Sequence, residues 1–452
     1  MPPDPAMVTV SPAASGETWR VPFNVVDEVV HLLDAEAAPW SVQLEARVTR
    51  SLDASRLRAA MDVALRRHPM ARARKAASRL RHHRDTWEIP PVPDLDPLRV
   101  VDCPDDASLD AVRARLQSMA VPLVESPPLR AVLARHPAGD VLMLNVNHAA
   151  SDGFGAVRFL RSVARAYTGT ADPLPDLDLL DHRDLVARLR APDASTRARR
   201  VLAVAEKLRD LVSPPARVAP VQARDAAGYG FHHLRLGLGE TRRLVGLDHP
   251  GSVNDVLLAA LHLTIADWNR RHGARPRRVT VMVPSNLRLP AWREESVGNF
   301  SLPARISSSS RDRRTPADAL AAVTRQTARK KRSGMGTGLI ELLAGSHLLP
   351  LWGKHTLVAL LPLAGDRLVD TAILSNLGRL DDPPWFGDDA GETVEVWFSA
   401  PARMPLGLSI GAVSVAGCLH LVFRYRHRAL DRDAAAGFAA GYREHLQTVA
   451  AS

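Results

Sequence analysis

The sequence predicts an α/β (α+β) protein of two lobes. Three observations lead there. The chain has 452 residues, more than one ordinary core holds, which suggests two units of roughly 200 residues each. Apolar residues make up 46% and charged residues 24%, the balance of a globular chain with ample material for a core. Strand-like and helix-like stretches alternate along it with no fixed repeat.

The first stretches are clear. WSVQLEARVTR (40–50) alternates like a half-buried strand, and DASRLRAAMDVALRRHP (53–69) follows as an amphipathic helix with Leu57, Ala60, Met61 and Leu65 on one face. Asp53 is placed to cap that helix, and Pro69 lies just past its end. RAVLARHPAGDVLMLNVNH (130–148) reads as a hairpin turning at Pro137–Asp140. Its second arm, Val141–Val146, is almost continuously apolar, as a strand covered on both sides should be. FGAVRFLRSVARAYTG then puts Val157, Leu160, Val163, Ala164 and Tyr167 on one helical stripe.

Residues 170–225 are rich in Pro, Asp and Arg and read as a connection carrying one or two surface helices. This gives a first lobe over 1–180, a linker over 181–228 and a second lobe over 229–452. In the second lobe, PGSVNDVLLAALHLTIADWNRRHG (250–273) is a strong helix with Ser252 or Asn254 as its cap, and RRVTVMVPSNLR (277–288) is a buried strand. Strands are expected at 369–376, 393–399, 406–414 and 417–426, with a closing helix over 431–449. The apolar segment 338–365 is broken by His347, Pro350, Lys354 and His355. It therefore reads as a buried helix pair, suited to lining an apolar channel, and not as a membrane span.

Between the buried strand and the helix at 153 lies NHAASDG (147–153), which presents His148 where one element gives way to the next. Its spacing resembles the HHxxxDG motif of the chloramphenicol acetyltransferase-like superfamily, which includes peptide-synthetase condensation domains, polyketide-associated and alcohol acyltransferases, and wax ester synthases. Every fixed position matches except the first, where Asn147 stands. NVVDEVVHLL, RRHP, SVNDVLLAAL, VPSNLR, VGNF and SNLGR follow in the order such proteins show, so the resemblance runs from about Phe23 to Val449.

The resemblance implies two lobes, each a mixed sheet flanked by helices, with a channel between them, and direct acyl transfer from a thioester to a hydroxyl or amine with no acyl-enzyme intermediate. His148 would be the general base, since imidazole titrates near neutral pH. Asp152 reads either as a helix N-cap or, as the resemblance implies, as the partner of an arginine that holds the motif loop; Arg288 is the candidate. Gly153 leaves room where a side chain would obstruct the channel, and Asn147 keeps a donor and an acceptor at its position. Ser375 or Asn376 is placed to donate to an oxyanion or to cap a loop. Asn299 and Asn286 either shape the channel or satisfy backbone.

No permanently bound cofactor is expected; acyl-CoA or a phosphopantetheine-linked acyl chain would be a substrate. The expected partners are acyl-CoA or an acyl or peptidyl carrier protein, together with a small alcohol or amine. The rival reading is a catalytically degenerate scaffold of the same fold that recruits a carrier protein.

Other function classes fit poorly. The net charge of +10 concentrates at 66–84, 195–211 and 324–332, but these runs lack aromatic interleaving and any zinc-finger or RNP-type signature, so nucleic acid is not an expected partner. A phosphate-bearing substrate, an acidic carrier or plain solvated helix faces account for the same charge. The adjacent pairs His82-His83 and His232-His233 do not have the spacing of a helical metal site. There is no GxxxxGK[ST], GxSxG or dinucleotide fingerprint. Two cysteines, Cys103 and Cys418, exclude a disulfide framework, and the start of the chain has no secretion-signal pattern. A cytoplasmic location is expected.

Overall fold

The computed structural model describes residues 17–34, 39–174, 182–205, 209–221, 228–246, 251–292, 295–332, 340, 345, 348–360, 367, 369–402 and 406–452. In chain order the first half runs β1 (Trp19–Pro22), α1 (Val25–Leu33), β2 (Ser41–Val48), α2 (Ala54–Arg67), β3 (Arg74–Lys75), β4 (Thr86–Ile89), β5 (Leu98–Asp102), α3 (Asp106–Ser118), β6 (Leu129–Arg135), β7 (Val141–Asn147) and α4 (Gly153–Thr168). The second half supplies β8 (Tyr229–Leu236), β9 (Val279–Asn286), β10 (Ser301–Ser308), β11 (Ala372–Arg379), β12 (Thr393–Ser399), β13 (Leu408–Val415) and β14 (Cys418–Arg426). Its main helices are Leu238–Gly246, Val253–Arg271, Pro316–Arg332, Leu351–Leu360 and Arg432–Ala450.

Two mixed sheets organise these elements. One has five strands in the order β12-β2-β7-β6-β5, and the other has six in the order β10-β9-β11-β13-β14-β8. A small sheet, β1-β4-β3, flanks them. The first core packs β2, β6 and β7 against α2 and α4, through Leu44, Leu57, Met61, Leu144, Leu160 and Tyr167. The second lies between the six-stranded sheet and the helices Val253–Arg271 and Arg432–Ala450.

Local rules set the element boundaries. Asp53 accepts from the Arg56 N–H and starts α2, and Ser252 forms a reciprocal capping box with Asp255 at the head of Val253–Arg271. All seven residues of β7 are buried, which is why they read as one apolar run.

The two halves are not separate in space. β12, from the 229–452 stretch, pairs antiparallel with β2 and so becomes an edge strand of the first sheet. It crosses β13 at Gly411, where a Cβ would lie 2.0 Å from the Phe398 carbonyl oxygen; only glycine lets the strands approach so closely. Arg424 of β14 adds a second tie, donating to the carbonyl of Ser41 and to Gln43 Oε1 (3.1 Å each) while stacked on Tyr229.

The 181–228 stretch carries three short helices, Leu185–Leu189, Ala194–Ala205 and Arg209–Val212, while 181, 206–208 and 222–227 lie outside the described residues. It is more than a connection. His182 stacks on Phe300, Arg183 ion-pairs with Asp27 of α1, and Asp210 ion-pairs with Arg278 and Arg305 of the second half.

The expected buried helix pair at 338–365 needs correction. Residues 338–339, 341–344, 346–347 and 361–366 lie outside the described residues. The described helix Leu351–Leu360 is joined to α1 through the Lys354–Glu28 ion pair and has an exposed face, with Trp352 57% accessible. Among the described residues, no helix is long and apolar enough to cross a membrane.

Candidate active site

The end of β7 and the start of α4 set the motif in space. His148 follows the last residue of the central strand, and its N–H donates to the Trp40 carbonyl (3.0 Å), tying the turn to the segment before β2. The Asn299 side-chain amide donates to the His148 carbonyl (2.8 Å) from the opposite side. The backbone that carries the imidazole is thus held from both halves of the chain.

The imidazole lies on the wall of a cavity of about 140 Å³ between the two large sheets. Val26, Val30 and Leu33 of α1 form one apolar side, and Met282, Ile373 and Phe398 form another. Polar groups reach it from His148, Asp152, Asn286, Ser301, Ser375 and Asn376. Burial lowers the His148 pKa from its ordinary value; the negative charge of Asp152 and the backbone of His148 and Ser151 oppose that shift in part. Burial thus favours the neutral form of the ring.

Asp152 combines both roles read from the sequence. Its Oδ1 accepts from the Gly155 N–H (2.9 Å), the N-cap bond of α4. The same carboxylate takes two bonds from Arg288, Nη1 to Oδ2 (2.7 Å) and Nη2 to Oδ1 (2.9 Å), and one from the Phe300 N–H (2.9 Å). Arg288 also donates to the carbonyls of Ser296 and Gly298 and lies over the Phe300 ring at 4.5 Å. The planar guanidinium is thus fully engaged, and Asp152 has no lone pair left over for a proton relay. This is a rigid brace between α4 and the loop after β9.

Gly153 has ordinary backbone geometry but no space beside it: a Cβ would lie 2.8 Å from Leu377 Cδ2 and 2.9 Å from Phe398 Cε2, both on cavity-lining residues. Asn147 turns away from the cavity. Its amide donates to Asp34 and to the Val121 carbonyl (2.9 Å each), and its oxygen accepts from the Ala149 N–H (3.0 Å). Asparagine at the first motif position is thus a turn-forming residue that leaves the cavity wall unaltered.

The remaining expected residues divide. Ser375 and Asn376 line the cavity from β11, and the Asn376 oxygen is taken by the Gly378 N–H (2.8 Å). Asn299, expected at the channel, is not on the cavity wall. It is fully buried behind the motif, because its side chain is consumed by the His148 carbonyl and by Ser301.

Asn286 emerges as the more informative amide. Its oxygen accepts from the Arg288 N–H (3.0 Å) and from Arg288 Nη1 (3.3 Å), which fixes the orientation of the amide. Its Nδ2 is buried without a partner among the described residues, on a residue that lines the cavity.

Comparison with known proteins places this site in a family. No protein-family model matches the chain. The Uncharacterized protein Rv2305 of Mycobacterium tuberculosis (strain ATCC 25618 / H37Rv) is 35% identical over 441 residues, covering 95% of this chain and 100% of the relative. The chain belongs to the family of that mycobacterial protein. The Uncharacterized protein MT2362 of M. tuberculosis (strain CDC 1551 / Oshkosh) matches to the same extent.

The fold of this Rv2305-family member is that of peptide-synthetase condensation domains. The first condensation domain of the calcium-dependent antibiotic synthetase superimposes with a TM-score of 0.68 at 17% identity, over 96% of this chain and 97% of that one. The epimerization domain from the third module of tyrocidine synthetase B gives 0.65 at 16% identity over 96% and 98%. SgcC5 from Streptomyces globisporus gives 0.63 at 17% identity over 95% and 99%. These proteins carry different named activities on one fold, so chemistry in the Rv2305-family member has to be argued from its own site.

Two parts of the site escaped the sequence reading. The wall formed by α1 was visible only as an apolar stretch near the start; its capping box, in which Asn24 accepts from the Asp27 N–H and Asp27 from the Asn24 N–H, was the available signal. The free amide donor of Asn286 has no sequence signal, since it depends on what Arg288 does to the other end of the same group.

Proposed function

We propose that the protein is an acyltransferase that moves an apolar acyl group from a thioester, on coenzyme A or on a carrier protein, to a hydroxyl or amine. The observation that carries this reading is an imidazole on the wall of a mostly apolar cavity between the two sheets, where burial favours its neutral form. In this reading His148 takes the proton from the acceptor as its oxygen or nitrogen attacks the thioester carbon. The carbonyl oxygen becomes an oxyanion, which the Asn286 Nδ2–H group stabilises by donating to it. Collapse re-forms the C=O bond and expels the thiolate, which recovers the proton from His148. No bond to the enzyme forms.

The cavity volume constrains the substrate. About 140 Å³ matches the size of an engineered cavity that accepts benzene, so it holds one ring or a short aliphatic segment beside the reacting carbon. Longer acyl chains would have to extend out of it. Asp152 and Arg288 act as positioning residues in this scheme, and Gly153 keeps the wall open.

The test is intact-mass detection of product from a panel of acyl-CoAs and acyl-carrier proteins of graded chain length, with alcohols and amines as acceptors. Wild type should consume at least one thioester with formation of an ester or amide, and His148→Ala should not. A panel that yields no difference between the two would reject the reading in favour of a scaffold that binds a carrier.

A further inference from the structure

Away from the cavity, one surface combines features that neither the fold nor the proposed chemistry uses. The loop between β3 and β4 carries Arg79, Leu80, Arg81, His82 and His83, all exposed, with Leu80 65% accessible. Beside it, the head of the helix Leu351–Leu360 presents Leu348, Leu349 and Trp352, which are 83%, 39% and 57% accessible. The loop caps the helix: the Leu351 N–H donates to the His82 carbonyl (2.7 Å) and the Trp352 N–H to the Leu80 carbonyl (2.9 Å). Lys354 completes the joint by donating to the His83 carbonyl (2.7 Å) and to Glu28 of α1 (2.8 Å). The aliphatic, indole and guanidinium groups are therefore displayed as one unit.

The charge of this unit is one-sided. Neither 77–84 nor 348–360 contains an aspartate or glutamate. Among the described residues, Arg79 and Arg81 have no carboxylate partner, whereas the exposed Arg58, Arg66 and Arg270 are paired with Asp96, Asp62 and Asp267. Unneutralised arginines around exposed leucines and a tryptophan are the composition of a surface that rests on an anionic bilayer. Leucines enter the acyl boundary, the indole settles at headgroup depth and the arginines face lipid phosphates. An acidic protein would satisfy the arginines but would leave three leucines of a protruding tip to be covered by a matching apolar recess.

We infer that the tip formed by Arg79–Arg81 and Leu348–Trp352 docks the protein on the surface of an anionic phospholipid bilayer. Its position gives the docking a use. The helix behind the tip is joined through Lys354 to α1, whose Val26, Val30 and Leu33 line the apolar cavity. A bilayer at this tip would therefore lie on the side of the molecule where the α1 wall is found. The inference does not depend on acyl transfer, because it uses none of the residues that line the cavity.

Co-sedimentation with phosphatidylcholine vesicles, with and without phosphatidylglycerol, tests it on the full chain. Wild type should partition to the phosphatidylglycerol vesicles and be released by salt. The double variant Arg79→Glu, Arg81→Glu should bind at least about 25-fold more weakly, taking roughly fivefold per basic residue at such a surface. Trp352→Ala should also reduce binding, and His148→Ala should bind as wild type does. All three positions named in the tip variants are exposed, and the melting temperatures of these variants should match wild type; Arg270→Glu serves as a charge control that retains binding. Equal partitioning to phosphatidylcholine alone, binding that survives both tip variants, or capture of an acidic carrier protein through these residues with none of vesicles would overturn the inference.

Discussion

Asp152 shows how much one side chain decides. It caps α4, receives both arms of Arg288 and accepts the Phe300 N–H, with both ionic partners almost wholly buried. Removing one charge from such a pair leaves the other stranded, at a cost of about 3–5 kcal/mol. Asp152→Asn and Arg288→Met should each destabilise by that order in urea unfolding, and the double variant should lose much less than the sum. The partner of Asp152 was available only as what the resemblance implies for the motif aspartate, with Arg288 at the end of VPSNLR as the candidate, and its use as a cap was read as the alternative. Asn286 makes a different prediction. Asn286→Asp keeps the shape but removes the free donor, so in the proposed reaction kcat should fall by about 10²–10³-fold with little change in KM; a matching rise in KM instead would assign the residue to binding.

At the scale of elements, the approach of α4 to β11 and β12 leaves the first turn of the helix no room for a methyl group. Gly153→Ala would force Leu377 and Phe398 aside at 2.8 and 2.9 Å, with a destabilisation of about 1–3 kcal/mol from overpacking. Both are cavity-lining side chains, and displacing them into the cavity would take space a substrate needs, so KM for an acyl thioester should rise more than kcat falls; unchanged kinetics would remove Gly153 from the site.

Elements with a covered face were legible. β7, α2, α4 and Val253–Arg271 announce themselves through periodicity, caps and flanking Pro or Gly. Two others were missed: β5 buries only Leu98 fully along its length, and β10, although its alternate residues Leu302, Ala304 and Ile306 are buried, carries Pro303, which an edge strand tolerates but which disguises the pattern. The basic run at 66–84 also hid two unlike uses of charge. Arg72 is buried and donates to the carbonyls of Leu65 and Arg66 at the end of α2, while Arg79 and Arg81 stay in solvent.

Across the whole molecule, buried histidines set a pH limit on stability. Burial lowers His68 and His262 from 6.5 to about 3, with Ser162 and Ser308 as their neutral hydrogen-bond partners. The unfolded chain binds more protons than the folded one below pH 6.5, so stability is complete above that pH and falls as pH drops toward the folded values. At pH 5 each histidine costs about 2 kcal/mol. Urea unfolding should show the loss, and His262→Asn should flatten the slope between pH 6.5 and 5.

The same burial acts on His148, whose lowered pKa keeps it a competent base below the ordinary histidine range. The pH dependence of kcat/KM for acyl transfer is therefore the most direct measurement. Wild type should show an acid limb with an apparent pKa below 6.5, and His148→Ala should lose roughly 10²–10⁴-fold in rate together with that limb. A His148→Ala enzyme that keeps both the rate and the limb would show that the proton leaves the acceptor by another route.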